Sequence, residues 1–252
     1  MNIRYSGLTD IGRRRPSNED RFLCVSLDGR GPGEEPWTLL AVADGIGGHA
    51  AGEVASAMAV EVLARDVARQ RASGDGAGPG DRVLRESILR ANQEIFLKAN
   101  LSREQRGMGT TLAAALIGGR TAVAANVGDS RVYRIRGREL AQVSCDHSWA
   151  AEQAGSRGLS DEDVRRSPFR NMVTRSVGYA ETVEVDTFPL DLGPGDAVLL
   201  CTDGLHGLVP GAEILKIIRK HTAPEAAARA LIKAANKAGG RDNITAVLAR
   251  ID

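Results

Sequence analysis

Five aspartates stand where apolar segments meet turns. A carboxylate in such a place is costly unless it is solvated, paired or bound to a cation. Asp44 follows the apolar run Leu39-Leu40-Ala41-Val42-Ala43 and opens Asp-Gly-Ile-Gly-Gly. Asp203 follows Val198-Leu199-Leu200-Cys201-Thr202 and opens Asp-Gly-Leu. Asp129 follows the segment Val123 to Gly128 and precedes Ser130-Arg131. Asp242, in Gly239-Gly240-Arg241-Asp242-Asn243, and Asp20, at the end of Ser17-Asn18-Glu19-Asp20, both stand just before an apolar segment. Asp-Gly is a common turn dipeptide, so each of these taken singly reads as a turn. Five together imply that the carboxylates converge. Oxygen donors without His or Cys select a hard cation, Mg²⁺ or Mn²⁺ and less readily Ca²⁺. Gly45, Gly47, Gly48 and Gly204 beside them let a backbone carbonyl or a ligand approach closely. Arg13-Arg14-Arg15 alone would be a solvated basic run. Placed shortly before Asp20, one of these arginines can reach the same point, and a planar guanidinium binds phosphate bidentately. Hard cations with an arginine form the constellation expected for phosphoryl transfer to water.

Other chemistries are poorly supported. The sequence has no GxxxxGK[ST], GxGxxG, HExxH or GxSxG motif, and four histidines make a histidine metal site a poor candidate. Cys24, Cys145 and Cys201 are far apart and form no CxxC pair, which argues against a disulfide framework or a thiolate zinc site. Each reads as a small core residue. The 252 residues carry a net charge of +1, with 42% hydrophobic and 26% charged residues. That length fits one large domain or two small ones. The near-neutral balance argues against a dedicated nucleic-acid binder, and the apolar content against disorder along the whole chain. With 4% aromatics the core must be aliphatic. Met1 to Tyr5 lacks the apolar core of a signal peptide, and no apolar run approaches the roughly 18 residues of a membrane span. The chain reads as soluble and cytoplasmic.

Periodicity predicts the elements that must hold these aspartates. Ile3 to Thr9, Arg21 to Leu27 and Trp37 to Ala43 read as strands, the last two joined as a hairpin through the polar turn around Glu34-Glu35-Pro36. Ala50 to Gln70 and Asp81 to Asn100 read as helices around a Gly/Pro-rich loop at 73–80, with Asp81 a candidate N-cap. Thr110 to Ile117, Thr121 to Val127, Arg131 to Ile135 and Leu140 to Val143 read as an antiparallel meander. Asp146 to Arg170 reads as a mobile segment with a short helix near Asp161. Val183 to Phe188 and Ala197 to Thr202 read as strands, Ala212 to Lys220 and Pro224 to Lys237 as helices, and Ile244 to Ile251 as a closing strand that ties the chain into one domain. Strands and helices come in blocks, which is an α+β order.

At this point the sequence resembles a known family, the metal-dependent serine/threonine protein phosphatases of the PPM or type 2C group in their compact bacterial form. The matching segments are RPSNED at 15–20, ADGIGGHAAGEVAS at 43–56, MGTTLAAALI at 108–117, NVGDSRVYRIR at 126–136, DHSW at 146–149, TRSVG at 174–178, LLCTDGL at 199–205 and GRDNITAVL at 240–248. They occur in the family's order and span the chain from about Ser6 to Leu248. The resemblance implies an α-β-β-α sandwich of two packed antiparallel sheets flanked by helices, a single catalytic domain over residues 1–252, and a flap at about 150–171. It implies two Mn²⁺ or Mg²⁺ ions, with Asp44 bridging them, Asp203 and Asp242 completing one site, and the Gly45 carbonyl binding the other. Glu19 and Asp20 would act mainly on metal-bound waters, Asp129 would serve a third, weaker ion, and Arg15 would bind phosphate. The implied reaction is hydrolysis of phosphoserine or phosphothreonine by direct attack of a metal-bridging water. The implied partners are phosphoproteins, including a serine/threonine kinase and its targets, with a monomer favoured.

The sequence departs from animal members of the family at one point. They carry a general-acid histidine two residues after the bridging aspartate, where this chain has Ile46. His49 lies three positions further on and reads as a loop residue; the preferred proton donor is instead a metal-bound water, for which the Asp129 site is a candidate. His206, after Asp203-Gly204-Leu205, has a place near the site as its functional alternative, and reads by preference as a polar residue of a helical turn. Arg241 reads as a solvated loop arginine, with a bias toward particular substrate charges as its functional alternative. Two other functions compete with the phosphatase: a catalytically weak sensor or binding module that keeps the fold, and a metal-dependent hydrolase of nucleotides or nucleic acid.

Overall fold

Strands buried on both faces sort their residues by parity, and that parity builds the core. The computed structural model describes residues 2–29, 34–47, 50–73, 80–101, 103–118, 121–155, 163, 167–169 and 172–252. One sheet has five strands in the order β1 (Ile3–Asp10), β11 (Ile244–Ile251), β10 (Ala197–Cys201), β7 (Arg131–Arg136), β8 (Glu139–Gln142). The other has β2 (Asp20–Leu27), β3 (Trp37–Ile46), β5 (Leu112–Gly118), β6 (Thr121–Val127) and β9 (Asp186–Pro189), with β4 (Gly109–Thr110) against the end of β3. Every pairing is antiparallel. On β3, Leu40 and Val42 face the other sheet while Leu39, Ala41 and Ala43 face helices; on β10, Val198 and Leu200 face inward while Leu199 and Cys201 face helices. The sheets therefore share a central apolar layer, and each has a further core on its outer face.

Two long helices, α1 (Ala50–Ser73) and α2 (Asp81–Leu101), cover the six-stranded sheet. The amphipathic helices α5 (Gly211–Lys220) and α6 (Pro224–Lys237) cover the other. The described residues also include two short helices, α3 (Trp149–Gly155) and α4 (Asp203–His206), and a 3-10 turn at Arg103–Gln105. Asp81 is the first helical residue of α2 and not its cap; there its charge favours the positive end of the helix dipole. No helix among the described residues is long and apolar enough to cross a membrane.

The expected α+β order, the β2–β3 hairpin and the return of the last strand into a sheet are present, and β11 lies between β1 and β10. The expected four-strand meander is not. β5 pairs with β6 and β7 with β8, but β6 and β7 lie in different sheets, and the chain crosses between them at Gly128-Asp129-Ser130. Gly128 makes the crossing with a φ of 104°, and the Asn126 side-chain amide donates to its carbonyl at 3.0 Å. The strand expected from Val183 begins only at Asp186, because Val183 and Val185 pack against the outer core and Arg85 donates to the Val185 carbonyl at 2.7 Å. Cys24 is partly buried and Cys201 fully so, and burial pushes both thiols up to about 12. Cys145 is exposed, which corrects the reading of all three as core residues.

Candidate active site

Five separate chain segments deliver carboxylates to one end of the sandwich. Asp20 and Asp44 are direct cross-strand neighbours on β2 and β3. Asp44 is not at a strand end as its sequence context suggested, since β3 runs on to Ile46 through pairing of Gly45 and Ile46 with β4. Asp203 opens α4, Asp242 lies in the loop before β11, and Asp129 sits at the crossing between the sheets. A cleft of about 890 Å³ is lined by Arg15, Glu19, Asp44, Gly45, Asp129, Asp203 and Asp242 together with residues 172–184. A second cleft, of about 570 Å³, shares Asp129, Asp203 and Asp242 and adds Arg131, Asp146, His206 and Arg241. All eight residues expected at the centre are thus brought together, Asp20 as the buried neighbour of Asp44.

The scaffold around them consists mainly of residues that sequence reasoning left without a role. Asp20 is fully buried, and its Oδ2 accepts from Thr202 Oγ1 at 2.8 Å and Thr245 Oγ1 at 2.6 Å. The Asp44 backbone is held on both sides by the Thr110-Thr111 pair. Asp44 N donates to Thr111 Oγ1 at 3.0 Å, and its carbonyl accepts from Thr111 N and Thr110 Oγ1, each at 2.9 Å. Asn243 ties three segments together: its Oδ1 accepts from Glu19 N at 2.9 Å, and its Nδ2 donates to the carbonyls of Ile11 and Ser17. The adjacent hydroxyls of Thr110 and Thr111 before an apolar run were an available sequence signal; Thr202, Thr245 and Asn243 carried none. Gly45 and Gly204 are required by close approach. A side chain at Gly45 would run into the carbonyl of Gly52 in α1, and one at Gly204 into the carbonyl of Asn243.

Electrostatically, like charges crowd the centre. Burial first, and repulsion among Asp20, Asp203, Asp129 and Asp242 second, hold the Asp44 carboxyl well above its ordinary range. Burial dominates likewise at Asp20 and Asp129, each pushed up to about 7, and at Asp203, pushed up to about 6. One oxygen of Asp20 and one of Asp203 are buried with no hydrogen-bond partner. Arg15 is a cation at the mouth, half exposed, with its guanidinium 2.6 Å from Asp242 Oδ2; Arg175 lines the same cleft. As they stand, no three His, Cys, Asp or Glu side chains among the described residues close around one point as a finished cation cage, as expected of carboxylates that repel one another. Orphaned acceptor oxygens, an all-oxygen donor set and mutually repelling buried carboxylates fit hard divalent cations.

His206 meets both of its readings, in a helical turn and beside the centre. It is in α4, with Nε2 3.0 Å from the Asp129 carbonyl, and burial lowers its pKa to about 4. Arg131 was missed; it forms a forked pair with Asp146, with the shortest contact 2.6 Å. Arg241 is exposed at the rim of the second cleft. His49, the helix expected near Asp161 and most of the flap at 150–171 lie outside the described residues. The base of that segment is closed by a bridge between Ser148 and Val173 and by Trp149 N donating to the Met172 carbonyl at 2.8 Å.

The sequence matches the family model of protein phosphatase 2C over residues 16–249. The chain belongs to the protein phosphatase 2C family. It is similar to the serine/threonine phosphatase stp of Listeria monocytogenes, with 38% identity covering 97% of this chain and 94% of that one. Among solved structures it is similar to the serine/threonine phosphatase PstP/Ppp of Mycobacterium tuberculosis, with 31% identity, a TM-score of 0.84 and 99% of each chain covered. It is also similar to a PstP catalytic domain solved in complex with two manganese ions, with 30% identity, a TM-score of 0.78 and 99% of each chain covered. This protein phosphatase 2C member is accordingly a serine/threonine phosphatase, and its family is metal-dependent. Its substrates are phosphoproteins, and the sensor-module alternative is not favoured.

Proposed function

We propose that Asp44, Asp203, Asp242 and the Gly45 carbonyl hold two Mn²⁺ or Mg²⁺ ions, that Glu19 and Asp20 grip the waters around them, and that Asp129 serves a third, weaker site. The observation that supports this most strongly is the pair of buried, partnerless carboxylate oxygens on Asp20 and Asp203 within a cluster of mutually repelling carboxylates. Bound there, the ions supply Lewis acidity to water and to phosphoryl oxygens. Arg15 presents a planar pair of donors to the phosphate, and its contact with Asp242 keeps the guanidinium at the mouth before substrate arrives. Thr110 and Thr111 fix the Asp44 backbone, and Thr202 and Thr245 fix Asp20, so the carboxylates need little rearrangement during reaction.

We take water as the nucleophile in a direct displacement, as the family resemblance implies; none of the three cysteines lines either cleft. Ile46 cannot donate a proton to the leaving alkoxide. His206 is neutral near pH 7 and its Nε2 faces the Asp129 carbonyl; we assign the leaving-group proton to a water at the Asp129 site. Residues 1–252 act as one catalytic domain and as a monomer, with 150–171 as the flap. The enzyme acts in the cytoplasm on the products of a serine/threonine kinase.

Phosphate release from a phosphothreonine peptide, followed with Mn²⁺, Mg²⁺ or chelator, tests the site. Release should require metal, and Asp203→Ala should lower it by at least about a hundredfold, as loss of a metal ligand does. Chelator-insensitive turnover, or near-normal turnover by the variant, would overturn the assignment.

A further inference from the structure

Behind the loop that carries Asp242 lies a groove of about 590 Å³ with a floor of Leu8 and Ile232 and a rim of Arg13, Arg229, Lys233 and Lys237. Four cations face a single carboxylate, Asp10. That carboxylate is already engaged, since its Oδ1 accepts from Gly12 N at 2.8 Å and from Asn236 Nδ2 at 3.1 Å. Glu225 pairs with Arg229 at 2.7 Å. Among the described residues, Arg13, Lys233 and Lys237 have no carboxylate partner, and all three are exposed. In a chain with 33 cations and 32 anions, composition does not require three unpaired cations on one groove.

The groove shares a wall with the active site. Arg13 N donates to the Gly240 carbonyl at 2.7 Å, Asn243 Nδ2 donates to the Ile11 carbonyl at 3.0 Å, and a side chain at Gly12 would run into the Asp242 carbonyl. Residues 10–13 are thus both the side of the groove and the back of the Asp242 loop. Arg241, on the exposed tip of that loop, lines the second catalytic cleft. Arg13, on the rim of the groove, is bonded through its backbone to Gly240, the residue before Arg241.

From this geometry we propose that the groove docks an acidic segment of the phosphoprotein substrate, its carboxylates or additional phosphates on Arg13, Lys233 and Lys237 and an apolar side chain on Leu8 and Ile232. The proposal rests on the active-site reading above and extends it from the phosphoresidue to the chain around it. An apolar floor under a cationic rim fits an acidic peptide better than a nucleic acid, because no aromatic platform for bases lines the groove.

The test compares phosphothreonine peptides of equal length carrying either an Asp/Glu tract or a neutral Ser/Gly tract, joined through a flexible spacer on either side of the phosphothreonine. With wild type at low salt, the acidic tract should lower KM by about tenfold, with the advantage fading as salt rises. In Lys233→Glu/Lys237→Glu the advantage should vanish, and Lys233→Ala/Lys237→Ala should fall between, while hydrolysis of para-nitrophenyl phosphate stays unchanged in both. No advantage for either acidic peptide on wild type, or an advantage that survives both double variants, overturns the proposal. So does competition by an oligonucleotide where the unphosphorylated acidic peptide fails to compete. If wild type does not turn over the small ester with Mn²⁺, the active-site reading is what fails; anisotropy of a labelled, unphosphorylated acidic peptide, with and without the lysines, then decides the groove separately.

Discussion

Gly204 sets the tolerance of the catalytic centre. Its Cα faces the Asn243 carbonyl so closely that the segments bearing Asp203 and Asp242 can meet only without a side chain between them. Gly204→Ala must push α4 away from the Asp242 loop, at about 1–3 kcal/mol for overpacking. We expect a folded protein that needs more Mn²⁺ for half-maximal activity and whose turnover falls by about tenfold or more, since small displacements of positioned groups are costly in rate. Metal titrations of phosphate release check this; an unchanged metal requirement would show that the contact is not strict. Single residues also mark where the sequence was informative. Asp44, Asp203 and Asp242 advertise themselves as carboxylates next to apolar runs. Thr202 and Thr245 do not, because a threonine just past a strand or within one is ordinary until Asp20 is found buried between the two.

Helix α1 is Ala-rich, with small side chains that let it lie close to the sheet, and its tie to α2 is polar as well as apolar. Asp66 is buried at that junction. It accepts from Gln70 Nε2 at 3.0 Å and Ser87 Oγ at 3.1 Å, with Arg69 and Arg90 alongside. Burial pushes its pKa up, but the hydrogen bonds from Arg69, Gln70 and Ser87 outweigh it and hold the carboxyl below its ordinary value. Because the folded pKa is depressed, the ionised form stabilises the protein above the ordinary carboxylate pKa, and that contribution is lost as pH falls through the folded value. Asp66→Asn should cost about 1–3 kcal/mol at neutral pH. In urea denaturation the gap to wild type should close only at acid pH; a gap independent of pH would mean that packing, not charge, is what the substitution removes. Helices and paired strands were legible from period and turn chemistry. The β6-to-β7 crossing was not, because a Gly-Asp-Ser turn reads alike whether it joins neighbours in one sheet or bridges two.

Across the whole molecule, the central apolar layer brings strand ends from both sheets to one place, so the fold forces like charges together. In the chelated protein, Asp44→Asn should therefore be more stable than wild type by ~1 kcal/mol, or about 2–4 °C in Tm for a chain of this size, because it removes a buried charge from among four others. Adding Mn²⁺ should reverse the order, since only wild type gains binding energy in the folded state. Calorimetry with chelator and with metal checks both signs. A variant less stable than wild type in chelator would show that the aspartate is needed structurally without any ion.

The sequence by itself determined the α+β order, the apolar strands, the identity of the carboxylates from which a site is built and, through eight motifs in order, the family. These depend on residue type and local spacing, which a chain carries without folding. Only the tertiary structure decided that Asp129 lies at a crossing between sheets, that Asp44 sits inside a strand opposite Asp20, that Arg15 rests on Asp242, and that Arg13 and two lysines of α6 form one groove. Each of those facts joins segments far apart in sequence. Their proximity is fixed by burial of the shared apolar layer, a property of the packed sheets and not of any one segment.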